Sequence, residues 1–193
     1  MDRRQERGRT TRDHLLTVAT GLFTERGYEG TSIEAVLAEA GISRGALYHH
    51  FPGKDALFTA VFEAVHDRVA VEVAAAGKGK PGGDALRLGC LAWIRSIRDP
   101  AVHRIVLVDA PAVLGWARWR EADEKLVLPG LRHALAAAGT VPRAHLEVFA
   151  LALLAGLNEI AMTIARADDP NSAATAAEAA LDEFLGRVVG SGS

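Results

Sequence analysis

TSIEAVLAEAGISRGALYHHFPGK, residues 31–54, holds two short helical patterns separated by only a few residues. Thr31 or Ser32 can cap the first helix, because a hydroxyl oxygen accepts a bond from a first-turn N–H that has no intrahelical partner. Glu34 is placed to answer back from that turn. Ile33, Val36, Leu37 and Ala40 then fall on one face at helical spacing. Gly41 supplies the left-handed residue by which the chain leaves the helix, and Ile42 drops back towards the core. Ser43 can cap the second helix, which turns Ala46, Leu47 and Phe51 inward and leaves Arg44, Gly45, Tyr48 and His49 on the other side. Pro52 disfavours a helical Phe51 and holds this helix to about two turns. Two helices crossing at so tight a turn form a helix-turn-helix, whose second member can enter the major groove of DNA. An ordinary helical hairpin is the other reading of the same pattern.

The rest of the chain gives this stretch its setting. With 193 residues, 49% of them hydrophobic and 24% charged, the chain has the composition of a globular protein, with room for one core or for a small domain beside a larger one. The formal net charge of -2 excludes a general polyanion binder, so any contact with nucleic acid must come from local charge. Arg3, Arg4, Arg7, Arg9 and Arg12, against Asp2 and Glu6, form a basic N-terminal arm that can follow a phosphate backbone or remain a solvated terminus. Cys90 is the single cysteine, which excludes an intrachain disulfide. No apolar stretch follows the basic N-terminal residues, so a signal peptide is not expected. The most lipid-like run, 148–157, falls short of the roughly 20 apolar residues of a spanning helix. A cytoplasmic protein with no membrane segment is expected.

Outside the motif, periodicity predicts helices over 10–26, 55–76, 85–98, 115–138, 143–166 and 172–189. Gly27 ends the first, the GKGKPGGD stretch at 77–84 forms a loop, and Pro129-Gly130 kinks or divides the helix over 115–138. Residues 105–108 could pass for a buried strand, but helical neighbours leave a lone strand without a partner, and a helix is expected.

The N-terminal amphipathic helix, the GISRGALYHHF run at 41–51 and the Lys54-Asp55-Ala56-Leu57 start of a long helix together resemble the TetR family of bacterial transcriptional repressors. Phe23, Gly27 and Tyr28 add to the resemblance, which is close over roughly residues 1–65 and rests on helical layout beyond them. It implies an all-α protein of nine or ten helices: a three-helix helix-turn-helix domain at 1–54 and a C-terminal helical ligand-binding and dimerisation domain at 55–193. It implies a homodimer on a near-palindromic double-stranded DNA operator; no cofactor or metal is expected from the motifs present. Within that frame Arg44 can pair bidentately with guanine, a contact worth about 1–3 kcal/mol of discrimination, and Gly45 lets the helix approach the bases closely. Tyr48, His49 and His50 resemble the family's backbone-contacting positions. Lys54 lies at a helix N-terminus that already favours phosphate, and Thr31, Ser32 and Ser43 add hydroxyls. Gly53 departs from the family pattern, since many members place Ser, Thr or Asn there as the cap of the fourth helix.

The family's C-terminal domain binds a small molecule, which must favour the conformation that does not bind DNA. Trp93, Trp116, Trp119, Phe62, Leu107 and Leu114 are expected to line a pocket for an unknown, partly apolar effector, with His103, Asp109 and Arg95 as orienting groups; plain packing and surface placement are the other reading. Leu146, Phe149, Leu153, Leu157 and Ile160 of one helix and Ala177, Leu181 and Phe184 of the next are expected to pair across the dimer, with an intrachain hairpin core as the alternative. The sequence has no HExxH, CxxC, GxSxG or phosphate loop, so catalysis is not expected. A nonspecific architectural DNA binder is disfavoured, because such proteins rely on broad phosphate neutralisation.

Overall fold

The computed structural model describes the backbone over residues 3–189 and the side chains over 8–187. Every regular element among the described residues is helical, and the chain forms two compact units, Met1–His66 with Pro100–Gly115, and Asp67–Asp99 with Trp116–Ser193.

The first unit holds α1 (Arg3–Gly30), α2 (Ile33–Ala40), α3 (Arg44–His50) and the opening turns of α4 (Lys54–Ala76). Its core takes Leu15, Ala19, Leu22 and Phe23 from α1, Ile33, Val36 and Ala40 from α2, Leu47 from α3, and Leu57, Phe58, Val61 and Phe62 from α4. The rings of Phe23 and Phe58 meet edge to face with centroids 5.1 Å apart. As the sequence reading expects, the first helix breaks at Gly27, whose φ 70° and ψ 175° lie in a region essentially reserved for glycine; a further helical turn follows to Gly30.

The segment expected to be a plain helix over the VHRIVLVD stretch is π-helical over Val102–Asp109 and closes as α6 (Ala110–Val113). The Ala110 N–H reaches back five residues to the carbonyl of Ile105. Pro111 explains the widening: it has no N–H to give, and its ring would strike the carbonyl four residues earlier in a tighter turn. The wide turn carries Asp109 inward, where Oδ2 accepts the backbone N–H of Tyr28 at 2.8 Å and Arg104 Nε at 3.2 Å. Arg104 in turn lies so close to Gly27 that a Cβ there would sit 1.9 Å from its Nη2. These contacts draw Pro100–Gly115 into the first unit.

The second unit is built from the remainder of α4 with α5 (Gly82–Ser96), α7 (Trp116–Ala138), α8 (Leu146–Ala165) and α9 (Pro170–Val189). α7 runs through Pro129 without division. α9 starts two residues before the sequence expectation, because Asp169 caps it. Its Oδ1 accepts the N–H groups of Asn171 at 3.0 Å and Ser172 at 3.1 Å, and the Ser172 hydroxyl donates to Oδ2 at 2.6 Å, which holds the Asp169 carboxyl below its ordinary range. Asn158 Nδ2 donates to Asp123 Oδ2 at 2.6 Å in the interior, satisfying two polar groups that burial would otherwise penalise. Burial pushes the Cys90 thiol up to about 12, so this residue is packing rather than a nucleophile.

α8 is apolar on two sides. Ala150, Leu154, Ala161 and Ile164 face the unit's own core, whereas Val148, Phe149 and Leu151 are exposed. With the turn before it, the helix over Arg143–Ala165 is long and apolar enough to cross a membrane by length and composition, a wider apolar stretch than the sequence reading of 148–157.

Because both φ and crowding exclude a side chain at Gly27, Gly27→Ala should lower the unfolding free energy by about 1–3 kcal/mol in urea denaturation. An unchanged midpoint would refute the strained geometry.

Candidate nucleic-acid interface

Short helices need help at both ends, and α3 receives it from its neighbours. Ser43 Oγ accepts the Ala46 N–H at 3.3 Å, and the Phe51 N–H closes the other end on the Leu47 carbonyl at 2.8 Å. Gly41, with φ 64°, ends α2 by donating its N–H to the Leu37 carbonyl at 3.0 Å, and this fixes the turn between the two helices. Leu47 is the one α3 residue fully buried in the core. Arg44, Gly45, Tyr48 and His49 are therefore exposed together on the outer side, as the spacing suggests, while His50 is half-buried with its ring 6.4 Å from that of Phe51. A Cβ added to Gly45 would meet nothing within 4 Å, so nothing in the protein itself requires a glycine there.

The residues flanking α3 divide by burial. Ser32 is exposed and caps α2 by accepting the Ala35 N–H at 3.1 Å. Thr31 is withdrawn from the DNA-contact set: it is 1% exposed, and its hydroxyl donates to the carbonyls of Gly27 at 2.8 Å and Leu22 at 3.1 Å, so it sews the end of α1 to α2. Glu34 does not return to the cap of its own helix. It sits one position too early for a capping box, and its carboxylate instead reaches Arg44 Nη2 at 2.6 Å.

Lys54 stands at the start of α4 with Nζ 4.0 Å from the centroid of the Tyr28 ring, a cation–π contact that aims the ammonium beside the helix N-terminus. The Tyr28 phenol donates to Asp55, and burial, reinforced by that carboxylate, pushes its ionisation up to about 12, so it remains a donor at neutral pH. Arg12 lies over the Phe51 ring at 5.3 Å, whereas the side chains of Arg3, Arg4 and Arg7 lie outside the described residues. Sequence reasoning assigns Glu34 to the cap of α2 rather than to Arg44, and gives Tyr28 no contact. The signal for Glu34 was present as opposite charges at the first turns of two helices that a tight turn brings together.

The residues expected to bind an effector are distributed over the two compact units. Phe62, His103, Leu107, Asp109 and Leu114 belong to the first unit, and Trp93, Arg95, Trp116 and Trp119 to the second. Two of the proposed orienting groups are engaged elsewhere, Asp109 with Tyr28 and Arg104, and Arg95 with Glu178 at 2.6 Å. Phe62 stacks on His66 in the interior, with ring centroids 5.3 Å apart. Trp116 is half exposed and stacks on buried Trp119 with centroids 4.9 Å apart. The second unit has an apolar groove of 630 Å³ that none of these nine residues lines. Its walls include Phe149, Leu153, Leu157, Ile160, Ala177, Leu181 and Phe184, seven of the eight residues expected at a dimer contact; Leu146 is not among them.

Residues 15–61 match the family described as bacterial regulatory proteins, tetR family, and residues 83–188 match the tetracyclin repressor-like C-terminal domain. The chain is 39% identical over 83 residues to the HTH-type transcriptional regulator CymR of Pseudomonas putida. That match covers 42% of this chain and 41% of CymR, so the chain spans less than half of that relative's length. The crystal structure of a TetR-family transcriptional regulator from Pectobacterium atrosepticum superposes with a TM-score of 0.84 at 31% identity, covering 97% of each chain. RolR, solved in complex with resorcinol, superposes with a TM-score of 0.66 at 20% identity over 95% of this chain and 96% of RolR, a likeness of fold alone.

The open space at Gly45 separates folding from recognition. Gly45→Ala should leave stability unchanged or raise it by up to about 1 kcal/mol through helix propensity. It should weaken duplex DNA binding about tenfold by forcing a methyl group into a close interface. Equal DNA affinity in a gel-shift titration would show that α3 makes no close approach at this position.

Proposed function

The chain belongs to the TetR family of bacterial transcriptional regulators, and on that premise we propose that it is a repressor that reads a near-palindromic DNA operator as a homodimer and leaves it when a small molecule binds. The observation that carries this reading is the outer side of α3, where Arg44, Gly45, Tyr48 and His49 stand exposed while Leu47 alone is sunk in the core. Arg44 offers guanine a fork of donors, and the exposed phenol of Tyr48 and imidazole of His49 offer hydrogen bonds to phosphate oxygens. His50 contributes from its half-buried position. Lys54, with the free N–H groups of α4, adds a phosphate anchor, and the exposed hydroxyls of Ser32 and Ser43 offer further contacts.

The homodimer reading is supported by α8 and α9. Phe149 and Phe184 are 48% and 56% exposed, and the groove beside them is almost wholly apolar. A second copy laid against this face covers both, and it gives the doubly apolar α8 a partner on each side without a membrane. A cytoplasmic location follows from the same reading.

For release, the effector must bind the conformation with low DNA affinity more tightly than the other. RolR, of the same fold, was solved with resorcinol bound, which supports a small-molecule effector. Within the second unit, Trp93 and the half-exposed Trp116, stacked on buried Trp119, supply aromatic surface for a partly apolar molecule, a role separate from the α8–α9 groove. The family is one of regulators rather than enzymes, and the reading invokes no cofactor.

Selection of bound sites from random duplex DNA tests the proposal. The native chain should recover a palindrome with half-sites about one helical turn, or a multiple of it, apart. Phe184→Glu, at a position already exposed in the single chain, should run as a monomer and recover no palindrome. An absence of any enriched motif with the native protein would overturn the reading.

A further inference from the structure

We propose that Glu34 is a positioning residue that sets DNA sequence specificity by holding Arg44 in its base-reading orientation, an inference that rests on the DNA-binding reading above. Glu34 lies in the first turn of α2 and Arg44 in the first turn of α3, and the tight turn between the helices brings carboxylate and guanidinium together at 2.6 Å. The two side chains are 66% and 61% exposed, so the pair contributes little to stability in water and the fold does not depend on it. Its consequence falls on Arg44, a long side chain with many rotamers. One anchored nitrogen restricts those rotamers, while the remaining N–H groups stay free for the edge of a guanine.

The carboxylate also acts against the wrong complex. Glu34 shares the exposed side of the motif with Arg44, so any docking there brings a negative charge towards a polyanion. When Arg44 is seated on guanine, Glu34 keeps its counter-charge in a drier, less screened setting, and the ion pair strengthens. When the sequence offers no guanine, the carboxylate adds repulsion without that compensation. Specificity of this kind needs a repulsive element as well as an attractive one, and Glu34 supplies it.

The test is a double-mutant cycle of Glu34→Gln and Arg44→Ala. It measures affinity for the selected operator, for operators changed at each base pair in turn, and for mixed-sequence DNA. Glu34→Gln should bind mixed DNA more tightly, and its preference for the base pair read by Arg44 should fall about fivefold. It should leave the thermal midpoint unchanged, and in the Arg44→Ala background it should leave the remaining preference unaltered. An unchanged preference at that base pair overturns the proposal. So does a preference lost at another base pair and lost equally in the Arg44→Ala background, because Glu34 would then read a base itself. A native protein with no preferred sequence removes the DNA-binding reading and this proposal together, whereas the other adverse results remove only the role of Glu34.

Discussion

α3 has seven residues and buries one of them fully, Leu47. A helix that short is unstable alone and cannot compensate with a wide apolar face. Its structure is imposed from outside by the Ser43 cap, the turn set by Gly41, the Phe51 N–H bond to Leu47 and the contact with α1. This dependence has a functional counterpart. Since so little of α3 is spent on the core, nearly all its surface is left for a partner, and neighbours rather than the helix itself determine where that surface points.

Tyr28 shows how far the support extends. Its backbone N–H is held by Asp109, its phenol by Asp55, and its ring carries the Lys54 ammonium. A single residue thereby links the end of α1, the π-helical segment and the N-terminus of α4 within one compact unit. The break at Gly27 makes this possible by turning the chain so that the Tyr28 N–H meets Asp109, and the Arg104 side chain occupies the space a larger residue would need.

How much of this was legible in the sequence depended on whether the signal was local. The hydroxyls of Ser32 and Ser43, the left-handed Gly41 and the inward Leu47 are encoded within a few residues of where they act, and they stand in the structure as the spacing predicts. Thr31 and Ser32 were equivalent as caps on paper; depth separates them, since Thr31 is sealed under the carbonyls of Gly27 and Leu22. The widened turn over Val102–Asp109 needs both Pro111 and a distant N–H at Tyr28, a pairing that no periodicity reveals. The same limit applies to the residues expected to bind an effector. Tryptophan and leucine patterns look alike in a core and in a pocket wall, and only tertiary packing shows Trp119 buried and Trp116 half exposed. For α8, alternation of exposure around one apolar helix distinguishes the residues that face their own core from those that stand exposed.

The central claim is that the exposed side of α3 reads DNA through Arg44. Methylation interference on the selected operator tests it most directly, because a methyl group on guanine N7 blocks an acceptor that a bidentate arginine uses. One guanine in each half-site should prevent binding by the native protein when methylated, and lose that influence in Arg44→Ala. An interference pattern identical for the two proteins would contradict the account.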